Sequence, residues 1–144
     1  MPMGGLSSIF EKLGAVFPLK QDAEITLEAN PETVTPTFVS DLLRRTPVNR
    51  VSMGAQSFQA KYLQVLERLG SAESIRTAVS RLREGGLRNY SLDLIFGIPG
   101  QSVEELIYDI DQAVALEPKH LSFYSLTLKP GHKLYSGLPS DDEA

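Results

Sequence analysis

Not one of the 144 residues is a cysteine. That absence excludes disulfides, thiolate catalysis, the Cys-rich kinds of structural zinc site and any cysteine-held iron–sulfur cluster on these residues. Positive charge is short as well. Fourteen Lys and Arg against eighteen Asp and Glu give a net charge of −4, which supplies no broad basic field for gripping nucleic acid or an anionic membrane. Nucleic acid is therefore not an expected partner. Long apolar runs are missing, so no membrane span is expected. The opening Met1-Pro2-Met3-Gly4-Gly5 has neither the basic flank nor the apolar stretch of a secretory signal, and a cytoplasmic protein is the expectation. Neither Gly-x-Gly-x-x-Gly nor a phosphate loop occurs, so a generic nucleotide-binding domain has no motif to rest on.

What is present is a globular composition, 42% apolar and 22% charged, in a length that suits one domain over residues 1–144. Leu6, Ile9, Phe10, Leu13, Val16 and Phe17 recur at spacings of three and four, which predicts a helix with one buried stripe. Glu24 to Ala29 alternates apolar with polar and stops at Asn30-Pro31, the pattern of a strand ending in a turn. Thr35-Pro36 reads as an N-cap with proline at the first helical position, ahead of Phe38, Leu42 and Leu43; this helix ends before Pro47. A second strand runs from Arg50 to Ala55, and Tyr62, Leu63, Leu66 and Leu69 mark a helix that stops at Gly70. Ser71 caps a further helix with Ile75, Ala78, Val79 and Leu82 on one face and Gly85-Gly86 as its stop. The third strand, Tyr90 to Phe96, breaks at Gly97-Ile98-Pro99-Gly100. Ser102 and Glu105 then form a capping box for a helix with Val103, Leu106, Ile107, Ile110, Ala113 and Val114 on its buried side. The fourth strand is His120 to Leu126, and Lys129-Pro130-Gly131-His132 is read as loop.

Helical crossovers between strands imply a parallel sheet, so the class is α/β with about four parallel strands. Periodicity alone leaves two architectures open, half of an eight-stranded barrel or a small doubly wound sheet. The strand ends are more informative. Glu28 shares a face with Thr26, Gln56 with Ser52 and Gly54, and Asp93 with Ser91, and the larger polar group of each set lies toward the carboxyl end. In parallel α/β folds that end carries the binding site. Two carboxylate acceptors and an amide that donates and accepts suit a polar cofactor with hydroxyls or an amine. The same residues would also serve as caps or loop tethers, and spacing does not separate the two uses.

Four segments resemble successive blocks of one family: Glu24 to Pro31 (EITLEANP), Asn49 to Phe58 (NRVSMGAQSF), Leu92 to Ser102 (LDLIFGIPGQS) and Leu121 to Thr127 (LSFYSLT). The family is the radical S-adenosylmethionine proteins of the oxygen-independent coproporphyrinogen III oxidase type, and within it the heme chaperone branch. The resemblance covers residues 6–135 and leaves 136–144, with Asp141, Asp142 and Glu143, as a solvated tail. It implies a partial (β/α) barrel of the TIM-like radical-SAM kind. In that family a cysteine-held [4Fe-4S] cluster cleaves S-adenosylmethionine, which lies across the strand carboxyl ends. The matching positions put Glu28 at the adenosylmethionine that meets the cluster. Gln56, Arg68 and Asp93 match residues lining a second adenosylmethionine position, with Thr127 contributing from the last strand end. Gly97 to Gly100 matches the turn beside the adenine. Without the resemblance, Arg68 would be read as a solvated helix-end charge.

The family's Cys-x-x-x-Cys-x-x-Cys loop has no counterpart here, nor has the glycine-rich strand end that precedes its first matching helix. The expectation is a barrel fragment that begins after two lost βα units and lacks the family's carboxyl-terminal domain. Its parent would deliver heme or oxidise porphyrinogen. S-adenosylmethionine would meet an incomplete site, the cluster is not expected on this chain, and radical chemistry by the chain alone is not expected. A non-enzymatic binding or assembly module of the same fold is the alternative. His132 is read as a solvated loop histidine beside Lys129 and Lys133, with heme ligation as the other use, and His120 as structural. A barrel open beside Ile25 and Leu27 and beside Leu121 and Phe123 has two unpaired edges, so a homodimer or a complementing barrel fragment is the expected partner.

Overall fold

A computed structural model describes residues 3–127. The chain runs α1 (Met3–Val16), β1 (Thr26–Ala29), a single 3-10 turn (Pro31–Thr33), α2 (Pro36–Arg45), β2 (Arg50–Gln56), α3 (Ala60–Val65), α4 (Ala72–Glu84), β3 (Tyr90–Phe96), α5 (Val103–Ala115) and β4 (His120–Ser125). His132, the loop around it and the acidic tail lie outside the described residues.

The helix starts follow local chemistry. Thr35 Oγ1 accepts from the Phe38 amide at 3.0 Å, with Pro36 at the first position where no N–H is needed. Ser71 and Ser74 form a reciprocal capping box on α4, and Ser102 and Glu105 form one on α5. Several boundaries differ from the sequence pattern: α1 runs from Met3 to Val16, β2 runs on to Gln56 and β4 stops at Ser125, and two further differences have a visible cause. The first strand begins at Thr26 instead of Glu24, because Asn49 Oδ1 takes the Ile25 amide at 2.8 Å and Asn49 Nδ2 donates to the Ala23 carbonyl at 2.8 Å. A side chain replaces the ladder there. Helix α3 ends at Val65, not at Gly70. Glu67 adopts a left-handed backbone (φ 54), and the amides of Glu67 and Arg68 bond back to Gln64 and Leu63 at 3.1 and 2.8 Å. This is the 5→2 and 6→1 closure of a helix end. Leu69, expected on the buried stripe, is fully exposed as a result.

The four strands form one all-parallel sheet in the order β1-β2-β3-β4. Helices α2, α4 and α5 all cover the same face. Val39 and Leu42, then Ile75, Ala78, Val79 and Leu82, and finally Ala113 pack on Val51, Met53, Ala55, Leu92 and Leu94 as one core. Burying each such aliphatic side chain contributes about 1.5–3 kcal/mol. The other face carries Ser52, Gly54 and Gln56, which stay half-buried between fully buried neighbours. A doubly wound sheet has helices on both faces and reverses its strand order at a switch point. This sheet does neither, and its architecture is that of a partial barrel with a polar inner wall.

Helices α1 and α5 are covered less than their apolar patterns predict. On α1 Leu6 and Phe10 pack against the core, while Ile9, Leu13 and Val16, and Phe17 just beyond the helix, are exposed. On α5, Leu106, Ile110 and Ala113 face inward and Val103, Ile107 and Val114 face out. Among the described residues no helix is long and apolar enough to cross a membrane.

Candidate functional site

The inner face is built in layers set by strand register. Glu28 stands opposite Ser52 and Ser52 opposite Ser91; one step further, Gly54 stands opposite Asp93. Ser91 Oγ donates to Ser52 Oγ at 2.8 Å, and Ser52 Oγ donates to the Asp93 carboxylate, 3.0 and 3.2 Å from its two oxygens. This hydroxyl chain orients Asp93 and leaves the carboxylate with further acceptor capacity on the cleft side.

The carboxyl end of β2 departs from regular strand. Its register with β3 shifts between Gly54 and Gln56. Gln56 has φ 64, and the Ser57 amide bonds across it to the Ala55 carbonyl at 2.8 Å. A γ-turn of this hand is rare and strained. The turn brings the Gln56 amide back over Gly54, where a Cβ would stand 2.6 Å from Gln56 Nε2. The absence of a side chain at 54 leaves room for the Gln56 amide in this position. Downstream, the buried carboxylate of Asp109 on α5 accepts from Ser57 Oγ at 2.6 Å, the Phe58 amide at 2.9 Å and Gln59 Nε2 at 3.2 Å.

Four of the five sequence-predicted site residues meet. Glu28, Gln56, Arg68 and Asp93 line one open cleft of about 320 Å³ with Ala29, Asn30, Ser52 and Gly54. Arg68 arrives through the left-handed closure of α3, which turns the chain at Glu67 and delivers the next residue to the cleft. Among the described residues neither the Glu28 carboxylate nor the Arg68 guanidinium makes a hydrogen bond or ion pair, although the Arg68 amide bonds to Leu63. Thr127 is not brought in: it lies exposed beyond the end of β4, away from the lining. A narrower recess of about 210 Å³, reaching Leu63, Leu69 and Ile75, shares Asn30, Gly54, Gln56 and Arg68 with the cleft.

The loop after β3 is pinned from two sides. Gln101 Oε1 accepts from the Gly97 amide at 3.0 Å, where Gly97 has φ 73, and Tyr62 Oη donates to the Gly100 carbonyl at 3.0 Å. Glu105 gathers Lys61 Nζ, Tyr62 Oη and the Ser102 amide around one carboxylate. The Lys61 ammonium, the Ser102 N–H and the Tyr62 hydroxyl hold Glu105 down to about 2. The same hydrogen bond to Glu105 raises Lys61; burial, then the Glu105 bond, raise Tyr62.

The donor set tests two groups differently. Two carboxylates, an amide and a guanidinium around one cleft fit a zwitterionic ligand that also carries hydroxyls. A [4Fe-4S] cluster does not fit these residues. The chain has no cysteine, and no group of three or more His, Asp or Glu among the described residues is placed to hold a metal.

Sequence reasoning passed over Asp109, Gln59 and Tyr62. An aspartate at position 109 lies beside an apolar stripe and reads as surface, and only its burial marks it out. Tyr62 counted there as a core residue, and its hydroxyl contact is visible only in three dimensions.

Comparison with known proteins identifies the family and the fold. The Radical SAM superfamily model matches residues 6–113. Heme chaperone HemW of Escherichia coli is 41% identical over 140 residues, covering 95% of this chain and 37% of that protein. The Haemophilus influenzae heme chaperone HemW is 36% identical, covering 96% and 39%. Coproporphyrinogen III oxidase (HemN) from Escherichia coli, a radical SAM enzyme, superposes with a TM-score of 0.82 at 25% identity, over 99% of this chain and 34% of its own. The radical S-adenosylmethionine methyltransferase TsrM from Kitasatospora setae shares the fold, with a TM-score of 0.67 at 18% identity. The chain thus spans less than two-fifths of the length of these relatives.

Proposed function

The chain belongs to the radical SAM superfamily, on the branch of the heme chaperones and coproporphyrinogen III oxidase, and from that premise we propose that its cleft holds S-adenosylmethionine. One observation carries the reading. Glu28, Gln56, Arg68 and Asp93, from three strands and a helix connection, converge on a single cleft. Each has a chemical counterpart in that ligand. The Asp93 carboxylate, already oriented by Ser52, accepts from a pair of ribose hydroxyls. Gln56 donates and accepts beside it. The Arg68 fork suits a carboxylate, and Glu28 suits an ammonium. When a cluster is bound in this family it supplies the electron that opens the sulfonium; the residues of this chain bind and orient, and none of them ligates iron.

The parent activity on this reading is that of a heme chaperone, with porphyrinogen oxidation as the neighbouring activity of the branch. The chain by itself carries out neither radical chemistry nor cluster assembly. Calorimetric titration with S-adenosylmethionine tests the cleft. We expect weak binding that Glu28→Ala and Asp93→Ala each reduce by about tenfold, the scale of a lost charged hydrogen bond. Tight binding indifferent to both changes removes the assignment. Reconstitution with iron and sulfide is expected to give no cluster absorbance and no reductive cleavage; a stoichiometric cluster would overturn that part.

A second reading, an assembly module, is favoured by apolar side chains exposed on both flanks. Val16 and Phe17 stand out at and just beyond the end of α1, Val103 and Ile107 on α5, and Phe123 and Tyr124 on β4. With β1 and β4 at the sheet edges, these would complete a barrel against a second copy or a complementing barrel segment. Light scattering over a concentration series tests this, and a monomer at high concentration would sink it.

A further inference from the structure

The cleft reading makes Gln56 a ligand-facing residue, yet Gln56 sits in a backbone conformation that a non-glycine residue holds only under constraint. What supplies the constraint is visible downstream. Ser57, Phe58 and Gln59, the three residues after the turn, all donate to the carboxylate of Asp109, which is 1% exposed. Gln59 reaches Asp109 and the Glu105 carbonyl with the same Nε2, at 3.2 and 2.9 Å. Its amide also donates to Ser57 Oγ at 3.1 Å, so the hydroxyl is both donor and acceptor and has one orientation. Helix α5 packs inward through Leu106, Ile110 and Ala113 while Val103, Ile107 and Val114 face out, and this polar contact adds to its seat on the sheet.

We infer that Asp109 is the positioning residue of the cleft, a buried carboxylate latch on α5 that holds the strained γ-turn at Gln56 and so aims the Gln56 amide over Gly54 at the ligand. The inference rests on the cleft reading for its ligand arm and on the turn geometry and the hydrogen bonds to Asp109 for the rest. Asp109 touches nothing in the cleft; it acts through residues 57–59. If the latch were merely a buried polar contact, its loss would cost the same whatever residue occupied position 56. If it holds the turn, its loss costs less once position 56 accepts a positive φ unaided.

The experiment is a double-mutant cycle on the full chain, read by thermal unfolding, with Asp109→Ala measured in the wild-type and Gln56→Gly backgrounds. The fall in Tm in the wild-type background is expected to be at least twice that in the Gln56→Gly background, because glycine takes φ 64 without help. Equal falls overturn the inference. Asp109→Asn is expected to recover most of the loss, since its remaining oxygen still accepts from Phe58 and Gln59; no recovery counts against the latch. Should Asp109→Ala fail to fold, Ser57→Ala removes one of the three bonds and runs through the same cycle. Hydrogen exchange gives a local readout: the Ser57 amide, bonded across the turn, is expected to lose roughly tenfold of its protection in Asp109→Ala while Met53 keeps its own. Unchanged Ser57 protection overturns the inference. Calorimetry with S-adenosylmethionine separates the two levels. If wild type binds and Asp109→Ala binds equally well, the positioning role falls; if wild type does not bind, the ligand reading falls and the cycle still decides the latch.

Discussion

The middle strands and the flanking strands of this sheet are built from similar residues and end up in different surroundings. On β2 and β3 the helix-facing side chains Val51, Met53, Leu92 and Leu94 are completely buried. On β4, Phe123 and Tyr124 remain 44% and 57% exposed, although the strand is paired with β3 along its length. The cleft divides along the same line. Asp93 and Gln56, on the middle strands, are held by a hydroxyl chain and a strained turn. The side chains of Glu28, on the flanking strand β1, and Arg68, on a helix connection, have no hydrogen-bond or ion-pair partner among the described residues. On the proposed reading, one half of the site is organised before a ligand arrives, and the other half is left for the ligand to order.

The sharpest test of that contrast is volume removal. Leu92→Ala in the middle is expected to destabilise the fold by about 2–5 kcal/mol, since the cavity cannot collapse between two packed layers. Phe123→Ala on β4 is expected to cost well under that, about 1 kcal/mol or less, because half of the ring already meets solvent. Denaturant unfolding of both variants breaks the comparison if the two losses are equal.

A smaller effect separates the organised from the free half of the cleft. Ser52→Ala removes the hydroxyl that orients Asp93 from the cleft wall and is expected to weaken S-adenosylmethionine binding by about 1 kcal/mol. No comparable orienting neighbour exists for Glu28 among the described residues. Calorimetry that finds no change in Ser52→Ala would show that the hydroxyl chain does not organise the site.

The pinned loop has an acid dependence of its own. Glu105 is held at about 2 against an ordinary 4.5, chiefly by Lys61. Its folded pKa is depressed, so its contribution is complete above about pH 4.5 and is lost as pH falls through about 2. Glu105→Gln should flatten stability across that window and leave it unchanged in shape above it, as read by unfolding midpoints from pH 2 to 6. An unaltered acid limb would dissociate Glu105 from the loop's stability.

The smallest effect is expected on the outward face of α5. Ile107→Ser should alter monomer stability by no more than about 0.5 kcal/mol, as for other exposed positions, while lowering any self-association seen by light scattering. A large loss of stability would mean that Ile107 is covered by something other than solvent.

The order and type of the elements were legible in the residues alone, because caps, breakers and alternation act over a few positions. Thr35, Ser71 and Ser102 start their helices as their side-chain oxygens dictate, and the polar row on each strand follows from a period of two. Glu28, Gln56 and Asp93 were marked by the strand ends, where spacing did not separate a cofactor site from caps or tethers; the family resemblance favoured the site and alone named Arg68. Tertiary structure decided what lies opposite each side chain, and no local rule carries that. It left the stripes of α1 and α5 half uncovered, ended α3 early so that Arg68 reaches the cleft, and kept Thr127 out. It also buried Asp109, an acid no apolar pattern selects, because three donors from a distant loop converge on it. Burial depends on long-range neighbours, and a carboxylate goes inside only when they supply its hydrogen bonds.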